Sequence, residues 1–411
     1  MKKIKILVLP SDRTGVGFFR STNPHIELEN KYPDLFSVDI DYEPQLDNDE
    51  WLKQYDIIHY HRTLGPFETI QNVLDRCKKL GIVTIMDIDD YWAPGNHHPA
   101  YLLIKNSGMD KKIENNLRYS HNITTTTPIF AKEISKYNKN VFVLPNAIDE
   151  KEPQFIPTPV TSEKLRIGWL GGSSHLKDLE ILSGLVNRLK ADGLLDKLQF
   201  VLCGFDLRGT HTEIDKNTGQ QRQRPILPKE SVWYLYEKIF TDDYKTISPE
   251  YRDFLLKFVQ EEYKDVENEP YRRVWTKHVS SYATNYNLFD VSLAPLEENV
   301  FNKNKSQLKV IEAGFHEKAL IAQNFGPYQI DLVNVFKSGG AINENGNAIL
   351  VDSNRNHSDW YKAIKRLINN PEVIDIMKNN LSNLVKSTYS VDAVNETRKN
   401  LYLSLLEKNK N

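Results

Sequence analysis

The sequence is poor in cysteine and contains no long apolar run. Both absences limit the classes of protein to which the chain can belong. Its 411 residues include two cysteines, Cys77 and Cys203, far apart and without a metal-ligand spacing. A disulfide-stabilised scaffold and a zinc site are therefore not expected, and a reducing, cytoplasmic setting fits. No stretch approaches the roughly 20 apolar residues needed to cross a bilayer, so any membrane association is expected to be peripheral.

An excess of charge of either sign is also absent. The 53 Lys and Arg residues nearly balance the 55 Asp and Glu residues, which leaves a formal net charge of −2. Such a chain has no overall field to attract nucleic acid or an anionic membrane, although a local basic patch is compatible with it. At ~150 residues per domain the length fits two or three domains, and we expect two.

Short apolar runs that alternate with polar or helical stretches organise the N-terminal part of the chain. The first run holds only about five apolar residues, so we expect a buried strand rather than a signal sequence. Similar runs recur up to residue 146, separated by segments of helical length. This alternation is typical of a parallel sheet with crossover helices and predicts a Rossmann-like domain over residues 1–150.

A second domain follows a proline-containing segment at residues 151–165, which we expect to be a linker. Strand-like runs restart there and continue to residue 351, which predicts a second Rossmann-like, doubly wound domain over residues 166–388. The predicted fold class is therefore α/β, with two Rossmann-like doubly wound domains.

Two regions extend this plan. Residues 206–286 are longer than a simple crossover and are expected to form an insertion in the second domain. Within it, residues 248–263 and 271–286 look helical. Residues 389–411 are expected to form an amphipathic C-terminal helix.

A glycine-containing turn follows the first predicted strand. Gly15 and Gly17 would allow the backbone to approach a ligand closely, but Arg20 stands where a dinucleotide fingerprint has its third glycine. A tight strand-to-helix turn explains the two glycines equally well. If a helix begins there, Arg20 is expected to face the cleft at the carboxyl end of the strand.

A richer turn follows the first strand of the second domain. Hydroxyl and backbone N–H groups at a strand-to-helix junction are suited to hold a diphosphate, because both donate hydrogen bonds. Helix capping is the simpler interpretation for Asp178 alone. The expected contacts are Gly171, Gly172, Ser173, Ser174 and Lys177.

Residues 299–328 carry two lysines and a glutamate near an expected helix start. Lys305, Lys309 and Glu312 follow at i, i+4 and i+7, on the face opposite an apolar stripe. A helix start attracts an anion through its unpaired N–H groups and partial positive charge, and Lys305 adds to this attraction. Glu312 is suited to accept hydrogen bonds from sugar or ribose hydroxyls. A solvated, charged helix face is the alternative.

Two histidines end the strand-like run before residue 62. His59 lies inside the apolar run, so a core position is favoured for it. His61 lies at the end of the run and is the better candidate for a general base or a sugar contact.

Three carboxylates, Asp87, Asp89 and Asp90, follow the next strand-like run. Metal binding is a minority interpretation of so short a motif. We instead expect Asp90 to bind an acceptor hydroxyl, with Tyr91 and Trp92 as a stacking surface for a sugar ring.

Together these positions resemble the metal-independent, two-Rossmann-domain glycosyltransferases called GT-B, and among them the retaining family 4 type. The resemblance covers nearly the whole chain. In that family, two glutamates separated by seven residues contact the donor sugar and its nucleotide. Glu312 matches the second glutamate, whereas Asn304 occupies the position of the first. GWLGGSSHLKD replaces the family's G-R-x-x-x-x-K-G pattern, so Lys177 is the expected substitute, with Lys305 and Lys309 adding charge.

The resemblance implies that the second domain holds a nucleotide-sugar and that the first holds a saccharide or glycoconjugate acceptor across a cleft that closes. It implies no metal or other cofactor, and a C-terminal helix that packs on the first domain. The diphosphate is expected at residues 171–174 and at Ser306, with the three lysines stabilising it as it leaves. Glu312 would orient the ribose, and His61 or Asp90 would receive the acceptor proton.

Three other functions stay open at this stage. A transferase acting on modified DNA bases can share this architecture, and a local groove is offered by Arg222, Arg224, Arg272, Arg273 and Lys277. A non-catalytic nucleotide-sugar-binding relic fits Asn304 but not the retained lysines. A nucleotide-sugar epimerase is disfavoured, because the first turn lacks its third glycine and no convincing Tyr-x-x-x-Lys lies in the expected context.

Overall fold

The chain forms two compact units in the computed structural model. The first comprises Met1–Glu152, Glu298–Phe315 and Asn383–Asn411, and the second comprises Pro153–Glu297 and His316–Ser382. The segment with Lys305 and Glu312 thus belongs to the first unit, whereas the sequence analysis placed it in the second domain. The composition of the sequence does not change where the chain passes back into the first unit, so sequence patterns could not reveal this crossing. The structure describes residues 2–13, 15–64, 70–96, 98–158, 160–206, 210–214, 221–241, 271–352 and 355–410.

The first unit is built on a six-stranded parallel sheet of order β2-β1-β3-β4-β5-β6. Its central strands are buried along their whole length, as expected where helices cover both faces of a parallel sheet. The apolar runs of the N-terminal sequence form these strands. Their bounds are β1 (Ile4–Leu9), β2 (Phe36–Ile40), β3 (Ile57–His61), β4 (Val83–Ile88), β5 (Asn122–Thr125) and β6 (Val141–Val143).

The second unit contains another six-stranded parallel sheet, of order β11-β8-β7-β12-β13-β14, and a separate antiparallel hairpin, β9-β10. The hairpin and β11 lie in the stretch expected to be an insertion. The strands are β7 (Leu165–Leu170), β8 (Leu198–Phe205), β9 (Thr210–Ile214), β10 (Gln221–Pro225), β11 (Tyr271–Trp275), β12 (Val291–Ala294), β13 (Ala319–Gln323) and β14 (Ile349–Val351).

The expected helix over residues 271–286 is wrong at its start. Residues 271–275 form β11 and pair in parallel with β8. Tyr271 and Arg273 alternate toward the interior, and the buried Arg273 forms an ion pair with the equally buried Glu237. A charged residue on the inner face hid the period-two pattern. The other expected helix, residues 248–263, lies outside the described residues.

Helices connect the strands in both units, and a wide π-helical turn, Gly17–Thr22, precedes the first of them. The helices are α1 (Asn23–Lys31), α2 (Asp49–Leu52), α3 (Ile70–Lys79), α4 (Tyr101–Ser107), α5 (Met109–Tyr119), α6 (Pro128–Ile134), α7 (Leu176–Glu180), α8 (Leu185–Ala191), α9 (Val232–Thr241), α10 (Val300–Lys303), α11 (Leu308–Phe315), α12 (Ser358–Asn369), α13 (Glu372–Tyr389) and α14 (Val391–Lys410).

Strand order reverses beside the first strand of each sheet, between β1 and β3 in one and between β7 and β12 in the other. Such a switch point leaves a crevice outside the carboxyl ends of the strands, where open α/β sheets bind ligands. Both glycine turns follow a strand at these points. The two parallel sheets with their helices confirm the predicted α/β fold class.

The last helix, α14, packs on α1 and brings polar side chains into the first core. Tyr402 Oη lies 2.7 Å from Nε2 of the buried His25. The His25 and His59 rings lie 4.5 Å apart between centroids, and His59 is 1% exposed, which confirms its core position. Arg398, also from α14, is buried beside them.

The most exposed large apolar side chains in the described residues belong to α4. Leu102 and Leu103 are 68% and 73% exposed, and α4 buries none of its residues. A membrane-crossing helix, long and apolar enough for that purpose, is not found among the described residues.

The buried histidine pair makes the stability of the first unit depend on pH. Burial, followed by the charges of neighbouring groups including Arg398, lowers the pKa of both His25 and His59 well below the usual value. In the unfolded chain they titrate near pH 6.5, so below that pH the unfolded state binds more protons and stability falls. We expect each histidine to cost roughly 1.4 kcal/mol per pH unit below that point.

Urea unfolding between pH 7.5 and 5.5, followed by tryptophan fluorescence, measures this loss. His59→Leu should flatten the pH dependence, and His278→Gln, at an exposed histidine, should leave it unchanged. Equal pH dependence in wild type and His59→Leu would contradict the assignment.

Candidate functional site

Polar side chains from three strand ends meet at the carboxyl edge of the first sheet. His61 ends β3, Ser11 follows β1 and Asp89 follows β4. His61 Nδ1 lies 2.9 Å from Ser11 Oγ, and His61 Nε2 lies 3.0 Å from Asp89 Oδ1. An ionised Asp89 only accepts hydrogen bonds, so His61 carries a proton on Nε2. Ser11 has a second partner, because its hydroxyl donates to Asp12 Oδ2 at 3.0 Å.

Arg62 keeps this carboxylate charged. Its Nη2 donates to Asp89 Oδ1 at 2.7 Å. Burial alone would raise the pKa of Asp89, but Arg62, His61 and Arg20 together hold that pKa well below its usual range. Arg62 has φ of +59°, in the left-handed region that non-glycine residues seldom adopt. Such strained residues concentrate at functional sites.

Asp90 is the member of this group best suited to proton transfer. The Asp90 side chain is 43% exposed, and its partial desolvation together with the adjacent Asp89 charge raises its pKa, against the opposing effects of Arg62, Lys305 and His61. Arg62 Nη2 lies 3.7 Å from Asp90 Oδ2. Two neighbouring carboxyl groups with pKa values driven apart can take separate acid and base roles.

The segment before α11 brings a lysine to this cluster. Lys305 acts electrostatically on Asp90, and its Nζ lies 5.2 Å from the centroid of the Phe301 ring. Ser306 Oγ accepts a hydrogen bond from Asn146 Nδ2 at 3.0 Å. The structure therefore groups Lys305 and Ser306 with His61 and Asp90 within one unit. We call Ser11, His61, Arg62, Asp89, Asp90 and Lys305 the strand-end cluster.

The first turn serves the structure rather than a ligand at two of its three expected positions. Arg20, expected to face a cleft, is 3% exposed, and its Nε and Nη2 donate to Asp87 at 2.9 and 2.6 Å. A Cβ on Gly17 would lie 1.9 Å from the Asp12 carbonyl oxygen, so the turn requires glycine there. Gly15 has open space around it.

The expected aromatic stacking surface is also internal. Trp92 is 3% exposed and packs on Phe130 and Tyr137 in the first core. Tyr91 packs against the same core. A large apolar ring directly after a buried strand is drawn into the core, and here that outweighs the position near a carboxylate.

The expected charged face of the helix at residue 305 does not form as predicted. Lys305 precedes α11, and Asn304 is 2% exposed with its Nδ2 donating to the Val300 carbonyl oxygen. Glu312 is 4% exposed. Because α11 buries six of its eight residues, no polar face is left of the kind an amphipathic helix presents. Lys309, the second residue of α11, is half-buried.

The second glycine turn, residues 171–178, follows β7 at the other switch point. Tyr236 Oη donates to the Gly172 carbonyl oxygen at 3.1 Å and accepts from the His175 N–H at 2.9 Å. The start of α7 has no side-chain cap, so Asp178 does not act as one. Its Oδ2 lies 2.7 Å from His175 Nδ1, and its Oδ1 accepts from the Glu297 N–H at 2.8 Å. Asp178 thus ties the turn to the chain that follows β12.

The side chains expected to contact a diphosphate are exposed in this turn. Ser173 and Ser174 are exposed beside Gly172. Lys177 is also exposed, but its Nζ forms an ion pair with Glu180 at 2.7 Å, so a ligand would have to compete for it. Within the described residues, no group of three or more His, Cys, Asp or Glu side chains could hold a metal ion.

Sequence reasoning missed several members of these sites. Ser11 and Arg62 carried no pattern of their own, and Tyr236 is distant in sequence from the turn it supports. Asp89 and Asn146 did have a signal, since each follows a strand-like run at the edge where parallel strands end.

Comparison of sequences finds no matching family model and no matching curated protein. Comparison of folds finds solved structures that match almost the whole chain. A glycosyltransferase from Rickettsia africae is 14% identical, with a TM-score of 0.58 and 99% of each chain covered. HepE from Anabaena, solved with UDP and glucose, is 11% identical, with a TM-score of 0.54 over 98% of this chain and 100% of its own.

The catalytic domain of starch synthase IV from Arabidopsis thaliana, bound to ADP and acarbose, is 11% identical, with a TM-score of 0.54 and 99% of each chain covered. At these identities the similarity shows a shared fold. It agrees with the GT-B architecture that the resemblance implied, and the family 4 assignment stays a prediction.

The glycine turn offers a matched pair of substitutions. A Cβ on Gly171 would lie 2.4 Å from the buried Trp169 ring, whereas a Cβ on Gly172 meets nothing within 4 Å. We expect Gly171→Ala to cost about 1–3 kcal/mol of stability and Gly172→Ala to stay within about 0.5 kcal/mol of wild type. Urea unfolding of both variants tests this, and equal stability would show that the Trp169 ring can yield.

Proposed function

We propose that this protein is a glycosyltransferase that moves a sugar from a nucleotide-sugar to a saccharide or glycoconjugate acceptor, without a metal ion and with retention of anomeric configuration. The observation that carries the proposal is the whole-length fold similarity to HepE and starch synthase IV, solved with UDP and with ADP. The two sites at the switch points support it, because each offers groups suited to one substrate.

The glycine turn of the second unit is the proposed donor site. Its exposed serines and backbone N–H groups are suited to the diphosphate, and Lys177 adds positive charge once Glu180 is displaced. His175 and Asp178 hold the turn in place through their hydrogen bonds. Asn304 and Glu312, both buried, have no contact role in this proposal.

The strand-end cluster of the first unit is the proposed acceptor site. In the reaction the bond from the sugar's anomeric carbon to the leaving phosphate oxygen breaks, and a bond to the acceptor oxygen forms. The acceptor proton passes to Asp90, whose raised pKa favours that role, or to the departing phosphate. His61 is buried and both of its ring nitrogens are bonded, to Ser11 and to Asp89, so its proposed role is to hold Asp89 beside Asp90. Lys305 stabilises the negative charge that develops.

Lys305→Ala tests the role of the cluster. We expect turnover to fall roughly 10²-fold or more, because a charge that acts in the transition state is lost, while stability changes by about 0.5 kcal/mol or less. A thermal-shift screen of UDP, GDP, ADP, CMP and their sugar conjugates first identifies the donor. Transfer and donor hydrolysis are then measured in wild type and variant.

Lys303→Ala is the matched control, since Lys303 is an exposed lysine two positions away. Its turnover should equal that of wild type. Unchanged activity in Lys305→Ala would remove Lys305 from the mechanism, and absence of any transfer or hydrolysis in wild type would favour a non-catalytic binding protein.

A DNA acceptor finds less support in the described residues. Glu213 and Glu230 both pair with Arg224, Glu237 pairs with Arg273, and Lys277 donates to Thr284. Arg224 and Arg273, whose charges are neutralised by carboxylates, contribute little to phosphate binding, whereas Lys277 keeps its charge. Salt-sensitive retention of duplex DNA would revive this alternative.

We also propose a cytoplasmic location with peripheral contact to the inner face of the membrane, through α4. Leu102 and Leu103 are exposed, and residues 101–119 contain four Lys or Arg and two Asp or Glu. Lys105 and Lys111 pair with Asp110 and Glu114, which leaves a net charge of +2. Exposed leucines beside basic side chains fit an anionic lipid surface.

Sedimentation with phosphatidylcholine vesicles, with and without phosphatidylglycerol, tests this contact. Leu102→Asp with Leu103→Asp should weaken binding about tenfold or more per leucine, because each loses its burial in lipid. Leu227→Asp, at another exposed leucine, is the control. Equal binding of all three proteins would refute the role of α4.

A further inference from the structure

A cavity of about 170 Å³ lies at the amino edge of the second sheet. Arg166, near the start of β7, lines it, whereas the glycine turn follows the end of the same strand. The two places are therefore roughly 16 Å apart along the strand. Asp290, Glu317, Lys318 and Lys378 contribute charged groups to the cavity. Val160 and Ile374 contribute apolar surface.

Three of these residues form a row across adjacent strands. Arg166, Asp290 and Lys318 occupy the position just before Ile167, Val291 and Ala319, which lie in register in β7, β12 and β13. The Asp290 N–H donates to the Arg166 carbonyl oxygen, and the Ala319 N–H donates to that of Asp290. The row therefore carries a positive, a negative and a positive charge.

Asp290, the negative residue of this row, forms its ion pair with Arg166. Arg166 Nε and Nη2 donate to the two Asp290 carboxylate oxygens at 3.1 and 2.8 Å, and the Arg166 N–H donates to one of them at 2.9 Å. Lys378 forms an ion pair with Asp375 at 2.6 Å. Among the described residues that line the cavity, Lys318 is the lysine or arginine left without an ion pair.

Lys318 is 8% exposed, and among the described residues its ammonium group has no hydrogen bond and no ion pair. A buried charge without a partner is costly, and a bound anion removes that cost. Burial also lowers the pKa of Lys318, with Asp290 opposing this and Arg166 adding to it.

We propose that this cavity binds a small oxyanion, either free phosphate or the phosphate group of a sugar phosphate, with Lys318 Nζ as its direct contact. Arg166 and Lys378 are already paired with Asp290 and Asp375, so Lys318 supplies the attraction. The site lies at the opposite edge of the sheet from the proposed donor turn, so it goes beyond the proposed function and does not depend on it.

Thermal unfolding of the full chain in phosphate, against sodium chloride of equal ionic strength, tests the site. We expect phosphate to raise the Tm and Lys318→Met to weaken the apparent affinity about tenfold or more, because a charged hydrogen bond is lost. Lys362→Met, at an exposed lysine of the same unit, should respond as wild type does. A nucleotide that stabilises wild type should stabilise Lys318→Met equally.

Glucose 6-phosphate, compared with glucose and with phosphate, distinguishes the two sources of the anion. Tighter binding of the ester assigns a sugar phosphate, and equal or weaker binding assigns free phosphate. A full phosphate response in Lys318→Met would overturn the proposal.

A footprint on wild type decides the matter if Lys318→Met does not fold. Lysines are acetylated with acetic anhydride, with and without phosphate, and the modified peptides are quantified by mass spectrometry. Phosphate should protect Lys318 several-fold and leave Lys362 unprotected. Equal acetylation of Lys318 in both conditions would overturn the proposal.

Discussion

The buried ion pair between Arg20 and Asp87 is the contact on which the strand-end cluster depends. Asp87 accepts from two nitrogens of Arg20 and from Thr124 Oγ1 at 2.7 Å, and Arg20 Nη1 donates to the Leu144 carbonyl oxygen and to Asn146 Oδ1. Asn146 in turn donates to Ser306, which precedes α11. The ends of β4, β5 and β6 are thereby fixed together with the segment that carries Lys305. Removal of one partner from such a pair typically costs about 3–5 kcal/mol, because the other charge is left buried alone.

Much of the fold could be predicted from the sequence, because a buried parallel strand is a short continuous apolar run. Eleven of the twelve strands in the two large sheets coincide with runs visible in the sequence. The exception, β11, contains Arg272 and Arg273, and the pairing of Arg273 with Glu237 is a tertiary contact that no local pattern records. The return of residues 298–315 to the first unit was likewise invisible, since it depends on where the chain packs.

The candidate site divides in the same way. His61 and Asp90 could be found because both stand where a parallel strand ends, a position that the sequence does record. Arg20 and Glu312 were assigned to ligand contact on their chemistry, yet both are buried. The carboxylate that binds Arg20 lies 67 positions away, so its burial could not be read locally. A charged side chain that could bind a ligand could equally bind another side chain inside the protein. Only the fold decides which of the two it does.

Charge compensation therefore separates structural from functional ionisable groups in this chain. Arg20 and Asp87 satisfy each other completely, and nothing about their surroundings calls for a ligand. Asp89 is satisfied by Arg62 and His61, but it raises the pKa of Asp90 beside it and so leaves one carboxyl group ready to exchange a proton. Lys318 is the opposite extreme, a buried cation without an ion pair among the described residues, beside an Asp290 that is bound to Arg166. A buried charge without a partner is unfavourable, and a ligand of opposite charge that binds there removes this cost. Incomplete pairing, rather than charge itself, is therefore the property that indicates a binding site.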